Sequence, residues 1–140
     1  MSDEIYAKEL LRWAADVSRA GSLPGDRKTG TANNAMCGDR VTMDFEVDPT
    51  HEICDCRHET KACVITQAAT AILAANAVGE TGESLGRVRD RVAAMLKDGA
   101  DAPSGKWSVF SIFAPVRDHR SRHTCGLLPF EAAAKALDAS

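Results

Sequence analysis

The apolar residues change period several times along the chain, and each change marks an element. Tyr6, Leu10, Trp13 and Val17 recur at helical spacing until Gly21 interrupts them, with Ser2 as N-cap and Asp3 and Glu4 in the first turn, so a first helix is predicted there. Residues 21–36, GSLPGDRKTGTANNAM, carry no period and are rich in Gly, Asn and Thr. They read as a long loop, and loops of that length inside a domain are usually functional or disordered. Val41, Met43, Phe45 and Val47 then alternate with Thr42, Asp44, Glu46 and Asp48, the period-two pattern of a half-buried strand. Asp48-Pro49-Thr50 makes a turn, and residues 52–59 pair back as a second antiparallel strand. That strand puts Cys54, Cys56 and His58 on one face and Asp55, Arg57 and Glu59 on the other.

Beyond Lys61 the period becomes helical: Val64, Ile65, Ala68, Ala69, Ile72 and Leu73 share a face, with Thr66, Gln67 and Thr70 opposite, until Gly79. The uncharged run 62–79 is interrupted by Thr66, Gln67, Thr70 and Asn76, which marks a buried core helix rather than a membrane span. An amphipathic helix follows over 84–97, with Leu85, Val88, Val92, Met95 and Leu96 on one face, ending near Gly99. DGADAPSG is a linker, and Val109, Ile112, Phe113 and Val116 at i, i+3, i+4 and i+7 predict a short helix over 107–116. A last helix carries Leu127, Leu128, Phe130, Ala134 and Leu137, with Pro129 expected in its first turn. The order is α+β in a chain of 140 residues, one domain's worth of core, so residues 1–140 are expected to form a single domain.

Charge and cysteine content narrow the chemistry. Seventeen Lys and Arg against twenty Asp and Glu give a net charge of −3, without the basic field that draws a protein to nucleic acid or an anionic membrane, so neither is an expected partner. The acidic N-terminus lacks the basic-then-apolar order of a signal peptide, and a soluble, cytoplasmic protein is expected. Five cysteines in such a chain argue against a full disulfide framework and for metal or thiol chemistry. Three sit at element boundaries: Cys37 leads into the first strand, and Cys63 and Cys125 each open a helix, where exposed N–H groups and the macrodipole favour a thiolate. Cys54 and Cys56, on one strand face beneath a helix, read as core residues. Arg117, His119, Arg120, Arg122 and His123 crowd the approach to Cys125, a run suited to favouring its thiolate or docking an acidic partner.

MCGDRV at 36–41, ETKACVITQAATAI at 59–72 and RSRHTCGLLPFEAAAKAL at 120–137 resemble the three cysteine blocks of the U-type iron-sulfur cluster assembly scaffolds, the NifU N-terminal, IscU and SufU-like proteins. The resemblance runs from about Ala20 to the C-terminus. It implies a small three-stranded antiparallel sheet packed against a layer of helices, with Cys37, Asp39, Cys63 and Cys125 around one site. The Cys63–Cys125 interval is longer than in the compact IscU type by an insertion around residues 84–105, which places the chain nearest the SufU-like branch. The compact type has a His directly before its last cysteine; here Thr124 stands there and His123 lies one residue further back.

Three thiolates and a carboxylate form a four-coordinate set suited to Zn²⁺, to iron or to a small cluster such as [2Fe-2S]. The hard oxygen on a soft-metal site is the ligand best able to let go, which suits a protein that must release its cargo. Gly38 allows the bend that brings Cys37 and Asp39 together. The resemblance further implies sulfur received as persulfide from a cysteine desulfurase, with Cys37 and Cys125 as the candidate acceptors, and delivery to downstream assembly or apo-acceptor proteins. Two other readings stand beside the scaffold: a zinc-bound sulfur carrier, and a metal-stabilised structural or interaction module.

Overall fold

A computed structural model describes residues 8–35 and 38–137. The expected N-cap at Ser2, the first-turn acids, Tyr6 and Cys37 lie outside the described residues. Helix α1 (Lys8–Ala14) buries Leu10 but stops well short of Gly21, and Val17, assigned to its apolar stripe, is 72% exposed. The chain leaves helical geometry where Asp16 turns its carboxylate onto the Ser18 backbone N–H and hydroxyl, the local competition that acidic and hydroxyl side chains offer a helix.

The expected loop before Cys37 contains a strand. β1 (Lys28–Asn34) pairs antiparallel with β2 (Asp39–Val47), which pairs antiparallel with β3 (Ile53–Lys61), in the order β1-β2-β3. The sequence of β1, KTGTANN, offers almost no apolar alternation, because its inward positions are Gly30 and Ala32. A Cβ on Gly30 would run into the Ala132 carbonyl and the Ala136 backbone of helix α4 (His123–Leu137). The strand is therefore built of small residues so that α4 can lie directly on it.

Val41, Met43 and Phe45 of β2 face inward as expected, all at 0% exposure. Met43 stands opposite His58 and Phe45 opposite Cys56, so these β3 residues share the core face. Cys54 does not: the register slips between Glu46 and Val47, and this irregularity leaves Cys54 exposed while Cys56 is fully buried. Helix α2 (Val64–Asn76) packs against α1 and α4 and is buried on nearly every side, including Thr66 and Thr70, which the periodicity had placed on a polar face.

Helix α3 (Gly82–Asp98) confirms the 84–97 prediction and extends it by two residues at its start, where Thr81 and Ser84 form a reciprocal capping box. Gly99 closes it in left-handed geometry at φ 73°. The short helix expected over 107–116 is a longer 3₁₀ helix, Gly105–Asp118, followed by a 3₁₀ turn, Arg120–Arg122. Helix α4 begins at His123, so Pro129 lies inside it rather than in its first turn. The hydrogen bond that would end on the Cys125 carbonyl has no donor there, since proline lacks the N–H. Among the described residues, no helix is long and apolar enough to cross a membrane.

Candidate metal centre

Three remote segments meet at one end of the sheet. β1 and β2 are joined by a hairpin in which the Gly38 N–H donates to the Asn34 carbonyl at 2.8 Å, and Gly38 takes φ 72°, a left-handed conformation that glycine adopts without strain. Asp39 follows as the first residue of β2, with 4% exposure. Cys63 is the N-cap of α2, in extended geometry at φ −66° and ψ 167°, and Cys125 lies in the first turn of α4 at 0% exposure. Ligand-capable atoms of Asp39, Cys63 and Cys125 all lie within 4.8 Å of one another. These are three of the four residues expected to converge; Cys37 is outside the described residues.

The carboxylate also serves as a helix cap. Cys63 makes no side-chain capping hydrogen bond and α2 has no acidic residue in its first turn. Asp39 supplies both functions from the neighbouring strand: its Oδ1 accepts the Cys63 backbone N–H at 3.1 Å, and its negative charge sits at the positive end of the helix. Its Oδ2 accepts the Thr66 hydroxyl at 2.9 Å and lies 3.5 Å from Cys63 Sγ. Thr66 Oγ1 is in turn 3.5 Å from the same sulfur.

The two thiols titrate as a pair. Hydrogen bonding from Cys125 brings the Cys63 thiol down to about 5 against the opposing effect of burial. Cys125 is pushed up because it is the partner that keeps and donates the proton, with burial acting in the same direction. Cys63 is thus the ready thiolate of the pair, although the basic run had directed attention to Cys125. Of that run, His123 is buried and its Nε2 bonds the Arg117 carbonyl at 2.9 Å, and Arg117 donates to the Met95 carbonyl at 3.3 Å. His123 is not part of the ligand group, and Thr124, directly before Cys125, is exposed.

The donor set fits the ions expected of it. On a tetrahedral ion with bonds of about 2.3 Å to sulfur and about 2.0 Å to oxygen, the sulfur–oxygen edge is about 3.5 Å. Cys63 Sγ and Asp39 Oδ2 already stand at that separation, 3.5 Å. Cys56 and Cys54 take no part: burial raises the Cys56 thiol to about 12, and Cys54 points its sulfur at the Glu52 carbonyl, 3.6 Å away. Thr66 is the site residue that periodicity missed, because a buried threonine on a helix looks like a solvent-facing one in sequence; its position one turn beyond Cys63 was the available signal.

A small α+β fold that gathers thiols and a carboxylate from a strand and two helix starts defines a class of protein with a candidate metal centre. The chain matches the family described as NifU-like N terminal domain over residues 5–124, and it belongs to that family. It is 23% identical over 133 residues to the iron-sulfur cluster assembly scaffold protein IscU of Thermotoga maritima, covering 95% of this chain and 92% of the relative. Among solved structures it superposes on the N-terminal part of a nitrogen-fixing NifU-like protein from Brucella abortus with a TM-score of 0.92 at 34% identity, covering 98% of this chain and 94% of that one. It also superposes on an iron-sulfur cluster assembly scaffold protein for the SUF system from Fervidobacterium islandicum AW-1, with a TM-score of 0.87 at 25% identity and 98% and 99% coverage. With so little of this chain left uncovered, most of the 17 residues of α3 have a counterpart in both structures. The family expected from the three cysteine blocks is the family found, and a SUF-system scaffold stands among its structural neighbours.

Proposed function

We propose that this chain holds a metal ion or nascent iron-sulfur cluster through Cys37, Asp39, Cys63 and Cys125 and takes up persulfide sulfur from a cysteine desulfurase, for delivery to downstream assembly or apo-acceptor proteins. The observation that carries the reading is the convergence of Asp39, Cys63 and Cys125 within 4.8 Å, in a chain of the scaffold family. In the transfer step a cysteine thiolate attacks the outer sulfur of the desulfurase persulfide. A new S–S bond forms, the old one breaks, and the desulfurase cysteine leaves as thiolate. Cys125, at 0% exposure, offers an incoming sulfur no approach. Of the two candidate acceptors, Cys37 is therefore the one we assign.

Zinc, iron or a cluster meets the same donors. The second reading, a zinc-bound sulfur carrier, is favoured by the insertion that the resemblance implies around residues 84–105, most of which falls on α3. Metal analysis of freshly purified protein, with an absorption spectrum taken under exclusion of air, separates the two. Zinc with no charge-transfer bands supports the carrier; bound iron and sulfide with such bands support the scaffold. Asp39→Cys should lower stability by about 1 kcal/mol, because α2 loses its cap, and slow loss of the metal to a chelator by roughly tenfold or more, as the releasable oxygen gives way to a thiolate. Cys37→Ala should abolish stimulation of a desulfurase; full stimulation by that variant removes Cys37 from the role.

A further inference from the structure

Buried threonines on a helix normally satisfy their hydroxyl by bonding the carbonyl one turn back. Thr70 does this, donating to the Thr66 carbonyl at 2.7 Å. Thr66, equally buried at 0% exposure, does not. The carbonyl one turn back, Ala62, accepts from the Gln67 side-chain amide at 2.8 Å. Its hydroxyl instead crosses to a residue 27 positions away in sequence, Asp39 Oδ2 at 2.9 Å.

A hydroxyl has a single proton to donate. Two site acceptors are within reach, and the hydroxyl donates to the carboxylate oxygen at 2.9 Å, with Cys63 Sγ 3.5 Å away. With Oδ1 on the Cys63 N–H and Oδ2 on Thr66, the carboxylate is held at both oxygens and cannot turn freely about its side-chain bonds. That constraint keeps Oδ2 at the tetrahedral edge distance from Cys63 Sγ.

We propose that Thr66 is the positioning residue of this centre: its hydroxyl orients Asp39 Oδ2 toward the ion. The inference rests on the metal-holding reading above and adds a residue to it. Partners of metal ligands that fix orientation typically change affinity by about 10–100-fold when removed. The test measures zinc affinity by chelator competition and the visible spectrum of the cobalt(II)-loaded protein for wild type, Thr66→Val and Thr66→Ser. Valine keeps the branched shape without the proton donor, and serine keeps the donor without the methyl. The expected result is a fall of about 10–100-fold in zinc affinity for Thr66→Val, with altered cobalt ligand-field bands, and recovery of both in Thr66→Ser. Equal affinity and an identical cobalt spectrum in Thr66→Val overturn the assignment, as does an equal loss in both variants, which marks a packing role. If Thr66→Val does not fold, the serine and alanine variants carry the same comparison of donor present against donor absent. Failure of the wild type itself to bind either ion overturns the metal-holding reading, a result distinct from any difference among the variants.

Discussion

At the scale of single residues, the positions that matter most are those where a side chain does something other than its type suggests. Asp39 caps a helix that belongs to another segment, Thr66 holds that cap, and Gly30 is small because a helix lies on it. Gly30→Ala should therefore be costly. The new methyl meets the backbone of α4 at Ala132 and Ala136, which cannot swing aside as a side chain would, and overpacking of this kind costs about 1–3 kcal/mol. Urea unfolding should show the loss as a lower midpoint at unchanged slope; an unchanged midpoint refutes the close seating of α4. Cys54 and Cys56 make the complementary point. They share a face in an ideal strand, and a single register slip sends one to solvent and the other to the core.

At the scale of elements, the 3₁₀ segment shows why period decides a helix type. The α-helical reading chose Val109, Ile112, Phe113 and Val116. The residues that are buried are Trp107, Phe110, Phe113 and Val116, every third position. Three residues per turn stack those side chains on one side. Trp107, Phe110 and Phe113 thereby form a chain of ring contacts with centroids 6.2 and 5.5 Å apart, and Phe130 of α4 packs against Phe110 at 5.5 Å. Helix α3 is instead defined by its ends. Thr81→Ala removes the oxygen that accepts the Ser84 N–H at 3.1 Å and should cost about 1 kcal/mol of stability, while Thr81→Ser should be close to neutral. Thermal melting of the two variants checks the difference.

At the scale of the whole molecule, the segment after α1 pairs with β3 at His58, through an Ala20 bridge, and His58 is 6% exposed. Its Nδ1 pairs with the Thr60 hydroxyl at 2.9 Å, and its Nε2 has no partner among the described residues. Burial lowers its pKa from the ordinary 6.5, with Asp16 opposing the shift. Well above pH 6.5 the imidazole is neutral in both folded and unfolded chains and pH has no leverage on it. As pH falls through 6.5 the unfolded chain takes up the proton first, so stability declines until the folded-state pKa is passed. Urea midpoints should therefore fall between about pH 7 and pH 5, a window above the range where ordinary carboxylates titrate and one to which Cys63, lowered to about 5, also contributes. His58→Gln should flatten the decline, and an equal slope in the variant assigns it to other groups.

The sequence alone determined whatever depends on local period and on short spacings: the strands at β2 and β3, the buried helix α2, the extent of α3, and the three cysteine blocks that mark the family. Alternation and helical spacing are local consequences of backbone geometry and need no knowledge of the partner surface. Tertiary structure decided the rest. β1 became a strand because α4 covers its small residues, the end of α1 and the burial of Thr66 and Thr70 were set by what packs there, and the pairing of Cys63 with Cys125 awaited the meeting of two helix starts. Burial and hydrogen-bond partners belong to pairs of distant segments, so no single stretch of chain encodes them.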